Sequence, residues 1–563
     1  MRGDHHMAKI LDEQYYDLIF NNTVLPQTAA DDDITPMNER ESILHVYRGD
    51  TTDMCMIGRY LYHNFPTIYT LCSLISLQQS GIQSVQLNPY LSLFGQGTLI
   101  GIIDTGIDYQ HPAFLNRDGT TRIVSIWDQT IQNGPAPGNF GYGTEYNADS
   151  INYALRSANP LSTVPTVDEN GHGTAVASIA AGNTDTVNNF SGVVPDAGLV
   201  VVKLKEAKQN IRELFLVPDN VTCYQETDLL LGIRYLIETA GFMNRPISIC
   251  FALGNSLNGH DGEGSMSDYL DYLIQNPWIG ISCCAGNEGN ARRHYYSNIT
   301  NAPYSEEFEL RVGNEDHMFS MEIWPNAPAV LTIEVVSPTG ETTQMIYPRI
   351  MECVPYSFTR SSSELWVNNI LLEQESGNQC ILIRIRNPVE GVWIFRVSNI
   401  NSEDFSYHAW LPSGNLISGG TYFLQSSPDT TITSPGNSKH LITVTAYNQN
   451  SNSVLIESGR GYSRTGKVKP TLAAPGFELT CAAPLGGYSS YTGTGAAAAQ
   501  TSGIVAMILE WAVIRGNYSQ ITGNDISNML QRAAQRNEAL TYPNNIWGYG
   551  MVNVNNLFDS LSL

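Results

Sequence analysis

The stretch NGHGTAVASIAAGN, residues 170–183, decides the fold. Small residues recur at helical spacing after His172, and glycine and asparagine close the run. This is typical of a buried helix that begins at the histidine. The apolar run LIGIIDTGIDY (99–109) lies upstream and predicts a central parallel strand that ends near Asp104.

Two more apolar runs, GLVVVKL (198–204) and ISICFALG (247–254), predict further parallel strands, and the amphipathic segment 226–242 predicts a helix between them. Strands that alternate with helices indicate an α/β architecture, so we predict a doubly wound parallel sheet. We assign this sheet and its helices to residues 85–301 and 433–563.

Two other units accompany the α/β domain. Residues 1–84 hold short amphipathic pieces, including the strand-like ILHVYR (43–48), and predict a small α+β unit. Residues 302–432 hold alternating strand-like segments that turn residues close at short spacing, which is typical of an all-β sandwich or jelly roll. We therefore predict an all-β unit inserted into the α/β domain.

Composition limits the classes of function. Hydrophobic residues make up 42% and charged residues 15% of the 563 residues, which suits a large folded protein. The formal net charge of −24 argues against sequence-independent binding to nucleic acid or to anionic membranes. The first residues show no apolar stretch behind a basic start, so we expect no secretory signal, and we expect no membrane-spanning helix. These features predict an intracellular protein.

The nine cysteines are scattered along the chain without a CxxC pair. This pattern indicates reduced, mostly buried thiols rather than a disulfide framework. The neighbouring His5 and His6 are weak evidence for metal binding. We therefore expect neither a metal ion nor a cofactor.

Three groups that serve in serine hydrolysis occur in order along the chain. Asp104 follows a buried strand, His172 begins a helix, and Asn287 lies in the glycine turn CCAGNEGN, where its amide would donate to an oxyanion. Each residue type also has an ordinary structural use: aspartate as a strand-end cap, histidine in the core and asparagine in a turn. The order of the three motifs favours the catalytic interpretation.

These segments resemble the subtilisin-like (S8) peptidases over roughly residues 85–300 and 432–563. The resemblance implies a subtilisin-like fold in which the aspartate and histidine are catalytic and the asparagine is an oxyanion donor. ALGNS (252–256) resembles the substrate-binding strand of the family. An extended peptide is therefore expected to pair with Ala252, Leu253 and Gly254.

The chain departs from this family at the nucleophile. The serine motif of the family reads glycine, threonine, serine, with a further glycine eight positions after the serine. Here Gly493, Thr494 and Gly495 stand in that register, and Gly503 is the later glycine. Gly495 therefore replaces the serine, and a glycine has no side chain with which to attack a carbonyl. Neither Thr494 nor Ser502 is expected to take over, because each falls elsewhere on the helix.

The N-terminal unit, the β insert and the segment VSIWDQT (124–130) resemble the Csp germination subtilases of spore-forming clostridia. Some members of that family activate a cortex-lytic enzyme by cleavage, and others are pseudoproteases that act in germinant signalling. The resemblance implies a prosegment, a protein or peptide partner, and a location in the cell interior or, more specifically, the spore. Members of the family release the prosegment by cutting themselves, which needs the serine, so with Gly495 we expect the prosegment to stay in the cleft.

Two hypotheses about function remain open on the sequence. The favoured one is an inactive subtilase that acts by protein binding in germination signalling. The alternative is an active serine endopeptidase that processes a precursor such as a cortex-lytic zymogen, in which case Gly495 is a sequencing artefact or an engineered replacement of serine. A structural β-sandwich adhesion protein is disfavoured by the acidic, unsignalled sequence.

Overall fold

The N-terminal unit is built on a small antiparallel sheet in the order β1-β3-β2. The structure, a computed structural model, describes residues 8–26, 30–49, 52–71 and 80–561. The strands of the unit are β1 (Tyr15–Asn21), β2 (Ile34–Pro36), β3 (Glu41–Tyr47) and β4 (Ile68–Leu71). The middle residues of β1 and β3 are buried on both faces of this sheet. Ile19 and Ile43 pack in one hydrophobic cluster with the α/β domain, and Tyr16 and Leu18 pack in another.

The α/β domain begins with α1 (Ile82–Leu87) and is centred on a mainly parallel sheet. Up to the insert its strands are β5 (Leu99–Asp104), β6 (Ile123–Asp128), β7 (Thr144–Asn147), β8 (Gly198–Lys203), β9 (Tyr224–Gln225), β10 (Ile247–Phe251), β11 (Leu253–Gly254) and β12 (Ile279–Cys284). Its helices there are α2 (Ala148–Leu155), α3 (His172–Ala181), α4 (Gln209–Leu214), α5 (Glu226–Met243) and α6 (Ser265–Leu273).

The all-β insert consists of antiparallel sheets that share one hydrophobic core. Its strands are β13 (His294–Ile299), β14 (Ser305–Val312), β15 (Met318–Pro325), β16 (Leu331–Val336), β17 (Val354–Ser357), β18 (Glu364–Ile370), β19 (Cys380–Arg386), β20 (Gly391–Asn399), β21 (Phe405–Trp410) and β22 (Tyr422–Phe423). The first strand begins ahead of the predicted boundary at residue 302. The sequence of this strand, HYYSNI, is mostly polar, and the strand forms by pairing with β21, which is distant in sequence. Local sequence patterns do not reveal such a pairing.

After the insert the chain returns to the α/β domain. The strands are β23 (Ile442–Asn448), β24 (Ser453–Val454), β25 (Leu472–Pro475), β26 (Leu479–Ala483) and β27 (Gly487–Tyr491), and the helices are α7 (Thr494–Leu509), α8 (Gly523–Ala533) and α9 (Val554–Leu561). The central sheet has the order β24-β23-β12-β10-β5-β8-β6-β7, with β25 also paired to β23. Its strands are parallel except for the edge strands β7 and β24.

Helix α7 lies in the core of the α/β domain. Together with the turn that follows it, Thr494–Ile514 is long and apolar enough to cross a membrane, but 83% of that window is buried inside the protein. Apolar residues all around a helix are typical of a core helix as well as of a membrane span. Burial against α3 and the central sheet therefore accounts for the composition of α7.

The prediction that all cysteines are reduced is wrong for Cys55 and Cys353. They form a disulfide between the N-terminal unit and the insert, with Cα atoms 5.3 Å apart and a sequence separation of 298. The fold brings the Cα atoms into the range that a disulfide requires, and spacing along the chain cannot indicate this. Cys72 lies outside the described residues, and the remaining cysteines are buried and form no disulfide within the part of the chain that the structure describes.

Candidate catalytic site

The fold brings Asp104 and His172 into direct contact. Asp104 ends β5 at the carboxyl edge of the sheet, where sites of open α/β sheets form, and His172 is the first residue of α3. The imidazole Nδ1 lies 2.7 Å from Oδ1 and 2.8 Å from Oδ2 of the carboxylate. Both side chains are buried. In this arrangement the carboxylate fixes the tautomer and orientation of the ring, as a general base requires.

A second carboxylate, Asp168, holds the start of α3. One of its oxygens accepts hydrogen bonds from the Gly171 amide (2.8 Å) and the Thr105 hydroxyl (2.7 Å). The other accepts from the amide (2.8 Å) and hydroxyl (2.7 Å) of Thr174. These bonds fix the backbone on both sides of His172. Sequence reasoning missed Asp168, although an acidic residue just ahead of a helix is a capping signal.

Close packing at the pair depends on Gly173. A Cβ atom at this position would lie 2.2 Å from the carbonyl oxygen of Gly106 and 3.1 Å from Cβ of Asp104. No real side chain tolerates the first of these distances. The glycine of the HGT motif therefore lets α3 approach the end of β5 closely enough for the imidazole to reach the carboxylate.

Gly495 is the second residue of α7 and is buried. Asn287, which follows β12, contacts the same helix start: its Oδ1 accepts hydrogen bonds from the amide (3.2 Å) and the hydroxyl (3.1 Å) of Thr494. The amide oxygen is thereby directed at the helix, and the amino group is the part of Asn287 that would donate to an oxyanion. The structure thus groups the predicted oxyanion donor with the predicted nucleophile position.

No hydroxyl on α7 takes the place of a serine at position 495. The Thr494 hydroxyl is engaged with Asn287. Ser502 is fully buried deeper in the domain, with its Oγ 2.9 Å from Oγ of Ser248 on β10. The arrangement therefore has an oriented imidazole and a candidate oxyanion donor, without a nucleophile at the register position.

The predicted substrate strand carries a segment of the N-terminal unit. Leu253 and Gly254 form β11, and Ala252 precedes them directly after β10. Strand β4 pairs antiparallel with β11 on one side and with β9 on the other. An extended segment thus lies between two short strands, which is the geometry of a peptide added to strand edges.

Tyr491, at the end of β27, adds an aromatic wall beside the imidazole. Its ring centroid lies 5.6 Å from that of His172. Burial, together with the negative charge of Asp104, raises the pKa of Tyr491 far above its usual range, so the phenol stays neutral. Sequence reasoning missed this residue, and a lone tyrosine four positions ahead of Gly495 carries no pattern that would have identified it.

Comparison with known proteins decides the family. The subtilase family, Peptidase S8, matches residues 95–305 and 397–550. The chain belongs to this family. The unmatched stretch between these ranges lies inside the all-β insert. Within the described residues, no group of three or more His, Cys, Asp or Glu side chains is arranged to hold a metal ion.

This subtilase is similar to proteins that are named as proteases. The structure of the Clostridium perfringens CspB protease is 29% identical, with a TM-score of 0.76, and the match covers 86% of this chain and 98% of that one. Subtilisin from Bacillus sp. (strain TA39) is 27% identical over 195 residues, 35% of each chain. Thermitase from Thermoactinomyces vulgaris is 25% identical over 228 residues, 40% of this chain and 61% of thermitase. This subtilase therefore spans about a third to three fifths of those two curated relatives.

Proposed function

We propose that this subtilase is a pseudoprotease that acts by binding a protein partner. The observation that carries the proposal is Gly495, the residue that stands at the nucleophile position at the start of α7. Loss of the serine in subtilisin lowers kcat by about 10⁶-fold and leaves only the weak catalysis of oxyanion hole and binding. The kept contact between Asp104 and His172 cannot compensate, because a general base needs a hydroxyl to deprotonate.

The N-terminal unit supports the proposal as a retained prosegment. Subtilases of this type release such a unit by cutting themselves, a reaction that needs the serine. Here β4 lies on the substrate strand, and buried Asp17 of β1 forms an ion pair with Lys208 of the α/β domain at 2.8 Å. A strand pairing and a buried ion pair thus join the N-terminal unit to the α/β domain. The cleft is therefore proposed to be occupied by the chain itself.

The proposed biological setting is spore germination signalling. It is supported by the likeness to the Clostridium perfringens CspB protease over most of both chains. With the substrate strand occupied, partner recognition falls to other surfaces. The all-β insert offers one that the catalytic pair does not use, and exposed charged residues such as Arg360 and Glu364 lie on it.

An active endopeptidase that processes a precursor such as a cortex-lytic zymogen is the second candidate. The observation in its favour is the intact pair of Asp104 and His172, together with the protease names of the relatives. It requires a serine at position 495 in the native protein. The two candidate functions differ in the side chain at position 495, so an experiment that detects a reactive serine there distinguishes them.

The test is restoration of the nucleophile. We expect Gly495→Ser to gain reactivity toward a fluorophosphonate serine probe, because the imidazole and the oxyanion donor are already in place. The matched control is Gly495→Ser with His172→Ala, which should lose this gain. Comparable labelling of the unmodified protein would overturn the pseudoprotease proposal. An inert Gly495→Ser variant would count against the claim that glycine alone is responsible.

A further inference from the structure

The N-terminal unit is attached to the rest of the chain at two points. One is the main chain that follows β4, residues 72–79. The other is the disulfide between Cys55, which precedes the short helical turn Met56–Gly58, and Cys353, which precedes β17 of the insert. Cleavage of the main chain after β4 would therefore not free the unit while the disulfide is closed.

The paired cysteines differ from the other described cysteines in accessibility. Cys55 and Cys353 are only partly buried, and thiol–disulfide exchange needs access to a sulfur. The other described cysteines are buried, and burial raises the pKa of Cys223 to about 11 and of Cys481 to about 12. Because a thiolate is the reactive form, these buried thiols are unreactive near neutral pH. Thiol chemistry in the described part of the chain is therefore concentrated at the Cys55–Cys353 pair.

A buried guanidinium lies beside this pair. Arg384 of β19 is fully buried, forms no ion pair within the described ranges, and has Nη2 4.0 Å from Sγ of Cys353. It also donates to the carbonyl oxygens of Met54 (2.5 Å) and Leu214 (2.9 Å) and to Oδ1 of Asn368 (2.8 Å). A nearby positive charge stabilises a thiolate. Cys353 is thus the better leaving sulfur when an external thiolate attacks Cys55.

We propose that the Cys55–Cys353 disulfide is a redox latch that decides whether the N-terminal unit can leave the substrate strand once a separate endopeptidase has cut the chain between β4 and α1. The proposal rests on the proposed occupation of the cleft by β4. With the latch closed, dissociation of β4 is an intramolecular step and rebinding occurs at high effective concentration. With the latch open and the chain cut, the unit can diffuse away and expose β11.

The chemistry of the latch is thiol–disulfide exchange with a low-molecular-weight thiol. On opening, a thiolate RS⁻ attacks Sγ of Cys55, the Cys55–Cys353 bond breaks, and Cys353 leaves as a thiolate. A second thiolate then attacks the mixed disulfide on Cys55, which releases RSSR and leaves two protein thiols after protonation. Closing is the reverse, with RSSR as the oxidant that takes up the two electrons.

The latch is tested by cutting the main chain at a chosen place. Residues 73–79 are replaced by a seven-residue cleavage sequence of a site-specific protease, and the full chain is immobilised through its C-terminus and labelled at its N-terminus. After cutting, we expect the label to stay bound without reductant and to be released at least tenfold faster with dithiothreitol. Equal release rates with and without reductant would overturn the proposal. So would free thiols at both positions in the unreduced protein, measured by alkylation and mass spectrometry.

Variants separate the latch from general effects of reductant. The double variant Cys55→Ser with Cys353→Ser should release the label without reductant at the rate that the cut, unmodified protein shows with dithiothreitol, and dithiothreitol should not change that rate. Cys72→Ser should behave like the unmodified protein. If the double variant does not fold, the release rates of the cut, unmodified protein with and without dithiothreitol still test the latch. Fluorophosphonate labelling, read in parallel, reports on the proposed lack of activity: an adduct would contradict that proposal without changing the release rates.

Discussion

Leu71 of β4 lies directly opposite Leu253 of β11 in an antiparallel pair, and Thr70 lies opposite Gly254. A substrate peptide in extended conformation would need the same strand edge for its ladder hydrogen bonds. If β11 is the substrate strand, as we propose, the N-terminal unit and an incoming peptide compete for this strand edge. Whatever frees β11 from β4 should make this subtilase able to bind peptides.

Tyr69→Ala should open the substrate strand. Tyr69 lies in β4, is buried, and contacts the Phe251 ring at a centroid distance of 6.1 Å. Removing a buried aromatic side chain costs about 3–5 kcal/mol, here from the docking of β4. We expect a labelled peptide with the sequence of residues 62–71 to bind the variant and not the unmodified protein, as measured by fluorescence anisotropy.

The matched control is Tyr47→Ala, because Tyr47 is 54% exposed at the end of β3. This variant should leave peptide binding unchanged. If both tyrosine variants bind the peptide equally, or if the unmodified protein already binds it, β4 does not block β11.

Asp17→Asn should weaken the anchoring of the N-terminal unit. Asp17 is fully buried and accepts hydrogen bonds from Lys208 (2.8 Å), His45 (2.7 Å) and Gln225 (2.9 Å). Burial alone would raise the pKa of Asp17, but the charge of Lys208 and the His45 hydrogen bond outweigh it and lower the pKa to about 2. Removing one partner of a buried pair costs about 3–5 kcal/mol. Urea unfolding at pH 7 measures this loss.

The pH dependence of this anchor has a defined sign. Because the pKa of Asp17 is lowered on folding, its contribution is fully present above about pH 4 and is lost as the pH falls through about 2. The control is Asp33→Asn, which removes a partly exposed pair with Lys9 and should change the free energy of unfolding by less than about 1 kcal/mol. Equal effects of the two variants would contradict the assigned role of Asp17.

The sequence alone was sufficient to predict the α/β core and to single out Asp104 and His172 as a candidate pair. Long apolar runs such as the one ending at Asp104 can only be buried strands, and the small residues after His172 only suit close packing. The sequence was insufficient where contacts join distant segments. The Cys55–Cys353 disulfide spans 298 residues, and neither local spacing nor composition indicates which segments the tertiary fold brings together.

A cluster of stacked rings predicts acid sensitivity where the insert meets the α/β domain. His260 stacks on Trp410 at 4.1 Å, and Nε2 of His294 lies 2.9 Å from Nδ1 of His408. Burial lowers the pKa of His260 to about 4, so the folded state keeps it neutral. Its contribution to stability is therefore full above about pH 6.5 and is lost progressively as the pH falls toward 4.

His260→Phe should flatten this pH dependence. Phenylalanine keeps a ring against Trp410 and removes the titrating group, so the fall in unfolding free energy between pH 6.5 and pH 4 should shrink by roughly 3 kcal/mol. Urea unfolding across this range measures it, with the exposed His317→Phe as the control that should leave the profile unchanged. If His260→Phe leaves the pH dependence of the unfolding free energy unaltered, groups other than His260 cause the acid sensitivity. Asp261 and Arg464, paired at 2.5 Å beside the cluster, are the next groups to examine.

The proposal that this subtilase is a pseudoprotease is tested most directly by the intact mass of the unmodified protein after treatment with a fluorophosphonate probe. With Gly495 at the nucleophile position, we expect one uncut chain of 62.0 kDa that carries no adduct. Denatured protein treated in the same way controls for non-specific labelling. A stoichiometric adduct, or a preparation that has split itself between β4 and α1 without added protease, would contradict the proposal that this subtilase is a pseudoprotease.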